Sequence, residues 1–271
     1  MGPLLTAAVL EELSLARRSG IASLKCSLDL QLSSTIVAIG KNTWSCEGRE
    51  FPYPMTLKPR TIYHWVDCNF EPVARFGTSL IKLVPTEFGP PTFEIDGIKM
   101  LPTALGSPLA DAARKVGLIR PRGKVILDTC GGLGYFAACC VRGRAVQVLS
   151  FEINPDVIWL RGINPWSPAN DPILQLAQAD VAGAITTLPA QSIDAALHDP
   201  PRFGIAGELY SQHFYHQLSR VLKRRGRLFH YTGAPNKHSS GRDLASEVSS
   251  RLRIAGFDVE KSGDGVLAVK S

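Results

Sequence analysis

A chain of 271 residues, 45% hydrophobic and 20% charged, can bury a core without disulfide or metal staples, which excludes a disordered tail and a disulfide-built miniature. Basic residues outnumber acidic ones by 30 to 24, so a polyanionic partner such as RNA is permitted without being demanded. No apolar run is long enough to span a bilayer, and the six cysteines form no CxxC pair and have no histidine at metal-ligand spacing. We therefore expect a reduced, cytoplasmic protein with no membrane or metal partner.

In residues 4–18, Leu4, Leu5, Ala8, Val9, Leu10, Leu13 and Leu15 recur at helical spacing among Glu11, Glu12, Arg17 and Arg18, and Ser19-Gly20 ends the pattern. Residues 22–30 and 35–39 alternate or run apolar with β-branched side chains, as strands do. Prolines at 52, 54, 59, 72, 85, 90 and 91 then keep the segments short. The pattern predicts a small, mostly-β N-terminal domain over 1–105 that helps select a substrate.

Ser107-Pro108 opens a helix expected to reach about Val116, and Arg120-Pro121-Arg122-Gly123 turns the chain into a main domain over 106–271. Residues 125–127 form an apolar strand that ends in Asp128. Gly131, Gly132 and Gly134 let the backbone turn sharply and a ligand approach closely. Tyr135 opens an apolar helix whose free N–H groups and dipole would face that ligand. Strands over 145–153, 173–177, 193–197 and 227–231 then alternate with helices over 155–161 and 181–188, one ending near Lys223, and one over 242–255. Such alternation predicts a parallel, doubly wound α/β sheet. Residues 257–261 and 265–270 are too close for a crossover and should pair antiparallel. The basic run 223–227 is expected where a helix ends, favoured there by the dipole.

Ligands of such sheets sit at the carboxyl ends of the strands. There the sequence places Asp128, Glu152, Asp180 and Asp199. Glu152 stands about twenty residues past the glycine loop, the spacing of a ribose-binding carboxylate. Asp180 either accepts an adenine amino group or caps the helix that follows. Residues 132–137 match GxGxxA, so NAD is one candidate ligand. Asp128 ahead of the loop would repel a pyrophosphate and suits the ammonium of an adenosylmethionine-type cofactor. The expected cofactor residues are Asp128, Cys130, Gly131, Gly132, Gly134, Glu152, Ile153, Asp180 and Val181.

His198-Asp199-Pro200-Pro201 ends the fourth strand, and the two prolines stiffen the carbonyl between them. Asp199-Pro200-Pro201 resembles the (Asp/Asn)-Pro-Pro-aromatic motif of class I methyltransferases acting on nitrogen. In that motif the side-chain oxygen and a backbone carbonyl accept hydrogen bonds from the target amine. Arg202 stands at the aromatic position, with Phe203 next to it, and an arginine can itself stack on a base. Residues 197–215 (LHDPPRFGIAGELYSQHFY), 228–233 (LFHYTG), 127–135 and Asn164-Pro165-Trp166-Ser167 are together similar to the predicted archaeal methyltransferase family, a spermine-synthase-like branch of the class I fold. Weaker echoes at 27–30 and 95–100 extend the similarity over nearly the whole chain. The resemblance implies a seven-stranded Rossmann-like sheet and S-adenosylmethionine as cofactor, and it leaves the acceptor open. Cys130 departs from the DxGxGxG pattern of class I methyltransferases, so residue 130 needs a backbone conformation open to a side chain.

On this basis Asp199 and Pro200 orient an amine, His198 and His230 are the leading proton-transfer groups, and Arg202, Phe203, Glu208 and Tyr210 line a substrate pocket. His213 and Tyr231 belong to the same cluster. The expected function is S-adenosylmethionine-dependent methyl transfer to a nitrogen, with RNA as one acceptor to test. Three alternatives stand beside it. The first is an aminopropyltransferase using decarboxylated S-adenosylmethionine, for which only Asp199 and Glu208 offer carboxylates to a polyamine. The second is a non-catalytic nucleic-acid-binding protein with a vestigial pocket. The third is an NAD-dependent oxidoreductase, disfavoured by Asp128.

Overall fold

The structure is a computed structural model that describes residues 2–103, 106–169, 171–233 and 243–271. The chain forms two compact units: the residues up to Pro108 together with 159–166, and residues 109–158 together with 167–271. The expected domain limit at 105 and the expected start of the last helix at Arg242 lie outside the described residues.

In the smaller unit, Thr6 sits in extended conformation and its hydroxyl accepts the Val9 N–H at 3.3 Å, starting a helix over Ala7–Arg18. The apolar pattern places that start at Leu4, but Leu4 and Leu5 instead pair antiparallel with His64 and Tyr63 and are buried. The remaining segments are short antiparallel strands. Ser23–Cys26, Thr35–Ile39, Thr43–Cys46 and Arg49–Pro52 make one sheet. Ala74–Phe76, Leu80–Val84, Thr92–Ile95 and Ile98–Lys99 make another, and Tyr63–Val66 with Asn69–Pro72 completes the one begun at Leu4. The strand expected to reach Leu30 stops at Cys26, because Asp29 accepts from the Ser27 hydroxyl (2.8 Å) and the Ser33 N–H (2.9 Å) and turns the chain. Trp44 stacks on Phe51 with centroids 4.6 Å apart at the centre of this unit's core. Residues 159–166, expected in the larger domain, join this unit: the Arg75 guanidinium lies over the Trp159 ring and the Trp166 indole N–H donates to the Leu30 carbonyl.

The larger unit begins with helix α1 (Pro108–Ile119) and strand β1 (Val125–Asp128). There follow α2 (Tyr135–Arg142), β2 (Gln147–Glu152), α3 (Pro155–Ile163), β3 (Leu174–Gln178) and α4 (Val181–Ala184). After β4 (Ile193–His198) come α5 (Gln212–Val221), β5 (Leu222–Tyr231), α6 (Leu244–Ile254), β6 (Phe257–Ser262) and β7 (Gly265–Lys270). The strand order is β3-β2-β1-β4-β5-β7-β6, with β1 to β5 parallel and β7 antiparallel to both its neighbours. The predicted doubly wound sheet is thus present, and its last two strands form the expected hairpin through Gly263 at φ +59°. Chain order reverses between β1 and β4, and in open parallel sheets ligands bind beyond the carboxyl ends of the strands at such a switch point.

At the junction of α5 and β5 the basic run stands, as expected, where a helix ends and a strand begins, although the strand starts at Leu222 and not at the expected Arg227. The basic run 223–227 belongs to β5, a ten-residue strand that follows the helix directly. Lys223 pairs with Asp194 on the neighbouring strand at 2.7 Å, a partner for its charge beside the helix end. Leu127, Ala196, Leu218, Leu228, Val248, Leu252 and Val266 form part of one core, and each large aliphatic side chain so buried contributes about 1.5–3 kcal/mol. Among the described residues no helix is long and apolar enough to cross a membrane.

Candidate active site

The glycine loop is held from both sides. Thr129 N–H bonds the Leu197 carbonyl on β4 (3.2 Å) and Gly131 N–H bonds the Phe151 carbonyl on β2 (2.7 Å). The left-handed residues are Gly132 (φ +49°) and Gly134 (φ +82°), where a side chain would be strained. Cys130 keeps a negative φ and therefore carries its side chain without backbone strain. Its thiol packs against the core, with the Thr129 hydroxyl 3.7 Å away, and burial pushes its pKa well up, so it is an inert filler. Gly134 is the N-cap of α2 and has no side chain with which to accept a first-turn N–H.

Glu152 ties the end of β2 to this loop. One carboxylate oxygen accepts the Gly132 N–H and the other the Asn154 N–H, both at 2.9 Å. The next side chain, Ile153, is 64% exposed. Asp180 caps α4 by accepting the Ala182 N–H at 2.8 Å, which realises the second of its two expected roles, and Val181 behind it is buried. Asp128 is only 1% exposed and accepts the Ser150 hydroxyl at 2.9 Å, so its charge lies within the sheet end and not on the open surface.

At the end of β4 the two expected proton-transfer groups are corrected. His198 and His230 stand opposite each other on β4 and β5, fully buried, with ring centroids 4.5 Å apart. A carbonyl can only accept, so His198 Nε2 donates to Leu209 O (2.9 Å) and its Nδ1 accepts from the Thr129 hydroxyl (2.8 Å). By the same logic His230 Nδ1 donates to Tyr231 O (2.8 Å) and its Nε2 accepts from the Tyr215 hydroxyl (3.0 Å). Burial lowers the His198 pKa to about 4 and holds His230 well below the ordinary range, reinforced there by His198. With every ring nitrogen engaged and no exposed edge, neither histidine can shuttle a proton to a ligand.

Tyr210 is corrected for the same reason. It is buried and its hydroxyl donates to the Pro201 carbonyl at 2.9 Å. His198 and Tyr210 together staple the loop after β4 and hold Asp199 and Pro200 in place. Arg202, Glu208 and His213 are exposed, and Phe203 leans on the Tyr210 ring with centroids 5.5 Å apart.

The residue that sequence reasoning missed is Lys115, on α1. Its side chain is 3% exposed, and its ammonium lies 2.8 Å from Asp199 Oδ2, 3.0 Å from Asp111 Oδ2 and 4.3 Å over the Tyr231 ring. Burial opposes its charge, yet the Asp199 and Asp111 carboxylates outweigh that cost and raise its pKa above the ordinary lysine value. Arg114, one residue earlier, grips both oxygens of Asp264 and one of Asp111. In the sequence, Asp111 and Lys115 at i,i+4 look like a solvated helix pair, and no local signal marks them as buried.

With this geometry in place, known proteins can be compared. A spermidine synthase solved with the transition-state analogue AdoDATO superposes with TM-score 0.60 at 17% identity, covering 73% of each chain. A spermidine synthase from Thermotoga maritima gives TM-score 0.57 at 17% identity, over 73% of this chain and 71% of that one. The fold is the class I methyltransferase fold. In sequence, the chain is 43% identical over 194 residues to an uncharacterized protein of Methanocaldococcus jannaschii, covering 70% of this chain and 66% of that protein, just under two thirds of its length. No protein-family model matches the chain.

Proposed function

We propose that the larger unit is an S-adenosylmethionine-dependent transferase that methylates a nitrogen held by Asp199. The observation that carries this reading is the pair of carboxylates flanking β1. Glu152 is braced on Gly132 at the end of β2, and Asp199 at the end of β4 has one oxygen that accepts no hydrogen bond among the described residues. The residues fit the cofactor. Glu152 can accept the ribose hydroxyls, Ile153 offers apolar surface to the purine, and the positive dipole end of α2, whose N-cap Gly134 has no side chain, suits the carboxylate. Asp128 adds negative charge beneath the loop for the amino and sulfonium groups.

When bound, S-adenosylmethionine supplies a methyl carbon on a cationic sulfur that leaves as a neutral thioether. Asp199 Oδ1 and the Pro200 carbonyl accept hydrogen bonds from the acceptor nitrogen and aim its lone pair, and the rate gain comes mainly from that alignment. Lys115 is already protonated and the two histidines are enclosed, so the proton lost by the methylated nitrogen passes to water. The smaller unit, in this reading, contributes to acceptor choice.

Aminopropyl transfer is the second reading, favoured because both structures reported above are spermidine synthases. Calorimetry with S-adenosylmethionine and its decarboxylated form separates the two, and a clear preference for the decarboxylated form would overturn methyl transfer. Incorporation of a tritiated methyl group into total RNA, protein extract or small amines tests the reaction itself. Cofactor binding with no incorporation into any of these would count against it.

A further inference from the structure

The chemistry of the acceptor turns on how the charge of Asp199 is balanced. Five charged side chains meet at this end of the sheet: Asp111, Asp199, Asp264, Arg114 and Lys115. Arg114 takes both oxygens of Asp264 and Asp111 Oδ1. Among the described residues Lys115 is then the cation facing Asp199, buried, shared with Asp111 and lying over the Tyr231 ring, and three carboxylates against two cations leave the cluster with one negative charge in excess. A ligand group bonded to Asp199 Oδ1 would therefore sit across the same carboxylate from a fixed ammonium. Lys115 repels a second ammonium in that position and so offsets part of the attraction of Asp199, whereas an uncharged N–H donor feels little of either charge.

We propose that Lys115 biases the acceptor class: by sharing its charge between Asp199 and Asp111 it weakens the pull of Asp199 on a cationic amine while leaving Oδ1 as a hydrogen-bond acceptor, so the site prefers an uncharged amino group conjugated to a planar ring over the ammonium groups of diamines and polyamines. The proposal rests on Asp199 being the acceptor-binding group and is independent of which cofactor fills the glycine loop. Phe203, half-buried beside the stapled loop, and the exposed Arg202 are planar groups of the kind that stack on such a ring. The aminopropyl reading needs the opposite electrostatics, a carboxylate left uncompensated to receive a cationic amine.

The test is a calorimetric titration of the cofactor-free chain with spermidine and putrescine at neutral pH, made on wild type, Lys115→Met, Lys115→Gln and Asp199→Asn. Wild type is expected to show no binding tighter than about 1 mM. Either neutral variant should gain polyamine affinity by at least about tenfold, and adding Asp199→Asn to that variant should remove the gain. Melting curves identify which of the two neutral variants is folded. The wild-type titration decides by itself if neither is. Submillimolar spermidine binding to wild type that Asp199→Asn abolishes overturns the proposal, as does a folded neutral variant with unchanged polyamine affinity. A parallel titration with S-adenosylmethionine keeps the two ideas apart: loss of that binding defeats the proposed function and leaves the polyamine result standing.

Discussion

His198 and His230 pack edge to face inside the sheet, each locked in one neutral tautomer by two hydrogen bonds. Unfolded, an imidazole takes up a proton near pH 6.5, whereas folded His198 does so only near pH 4. Between those values the unfolded state binds more protons, so stability is fully present above pH 6.5 and falls as the pH drops toward 4. For His198 alone the shift corresponds to about 3 kcal/mol. Thermal melts at pH 7.5 and 5 should show the loss, and NMR should find His198 as the Nε2–H tautomer and His230 as the Nδ1–H tautomer. Protonation of either ring above pH 6 in the folded protein would contradict the assignment.

Tyr210→Phe removes only the hydroxyl that holds Pro201, costing about 1 kcal/mol of stability. Because that bond positions the Asp199 loop, turnover should fall by roughly tenfold while cofactor affinity stays within twofold of wild type. An unchanged turnover would show that the loop is held well enough by His198 alone.

Glu152→Gln keeps the shape of the side chain but replaces one accepting oxygen with an NH2 group, so Gly132 or Asn154 loses its acceptor. Cofactor affinity by calorimetry should weaken by about 10- to 100-fold. A variant that binds as tightly as wild type would place the cofactor away from the end of β2.

Asp199→Ala should leave cofactor affinity intact and lower turnover by roughly 10²- to 10³-fold, the cost of losing one positioned polar group. Lys115 then keeps only Asp111 as a carboxylate partner, so the stability loss should stay below about 3 kcal/mol, less than for a buried charge left wholly unpaired. Lost cofactor binding would move Asp199 from the acceptor side to the cofactor side.

The loop at Gly131 and the acids at the strand ends were legible because glycine spacing and a strand's apolar run are local signals. Lys115 was not, since it meets Asp199 across 84 residues and a helix pair at i,i+4 reads the same whether solvated or enclosed. The histidines were misread for a related reason. A polar residue closing an apolar strand looks the same from the sequence whether it points into a crevice or into the interior, and only their partners on Thr129, Leu209, Tyr215 and Tyr231 distinguish the two. The start of β5 was hidden because Lys223-Arg224-Arg225 is poor strand composition and lies in the register shift between the Ile193–Leu222 and Ala195–Arg227 pairs, with Arg225 at φ +63°.

Arg114 bonds Asp264, which sits in the turn of the last hairpin, while its neighbour Lys115 bonds Asp199 near the middle of the unit. The first helix is thus pinned by residues made 84 and 150 positions later. A nascent chain that has left the ribosome only as far as β5 has its glycine loop and the Asp199 partner of Lys115 but lacks Asp264, the partner of Arg114. The strand ends that carry the glycine loop and Asp199 can therefore meet α1 during synthesis, whereas the end of the helix at Arg114 is fixed only once the closing hairpin has emerged.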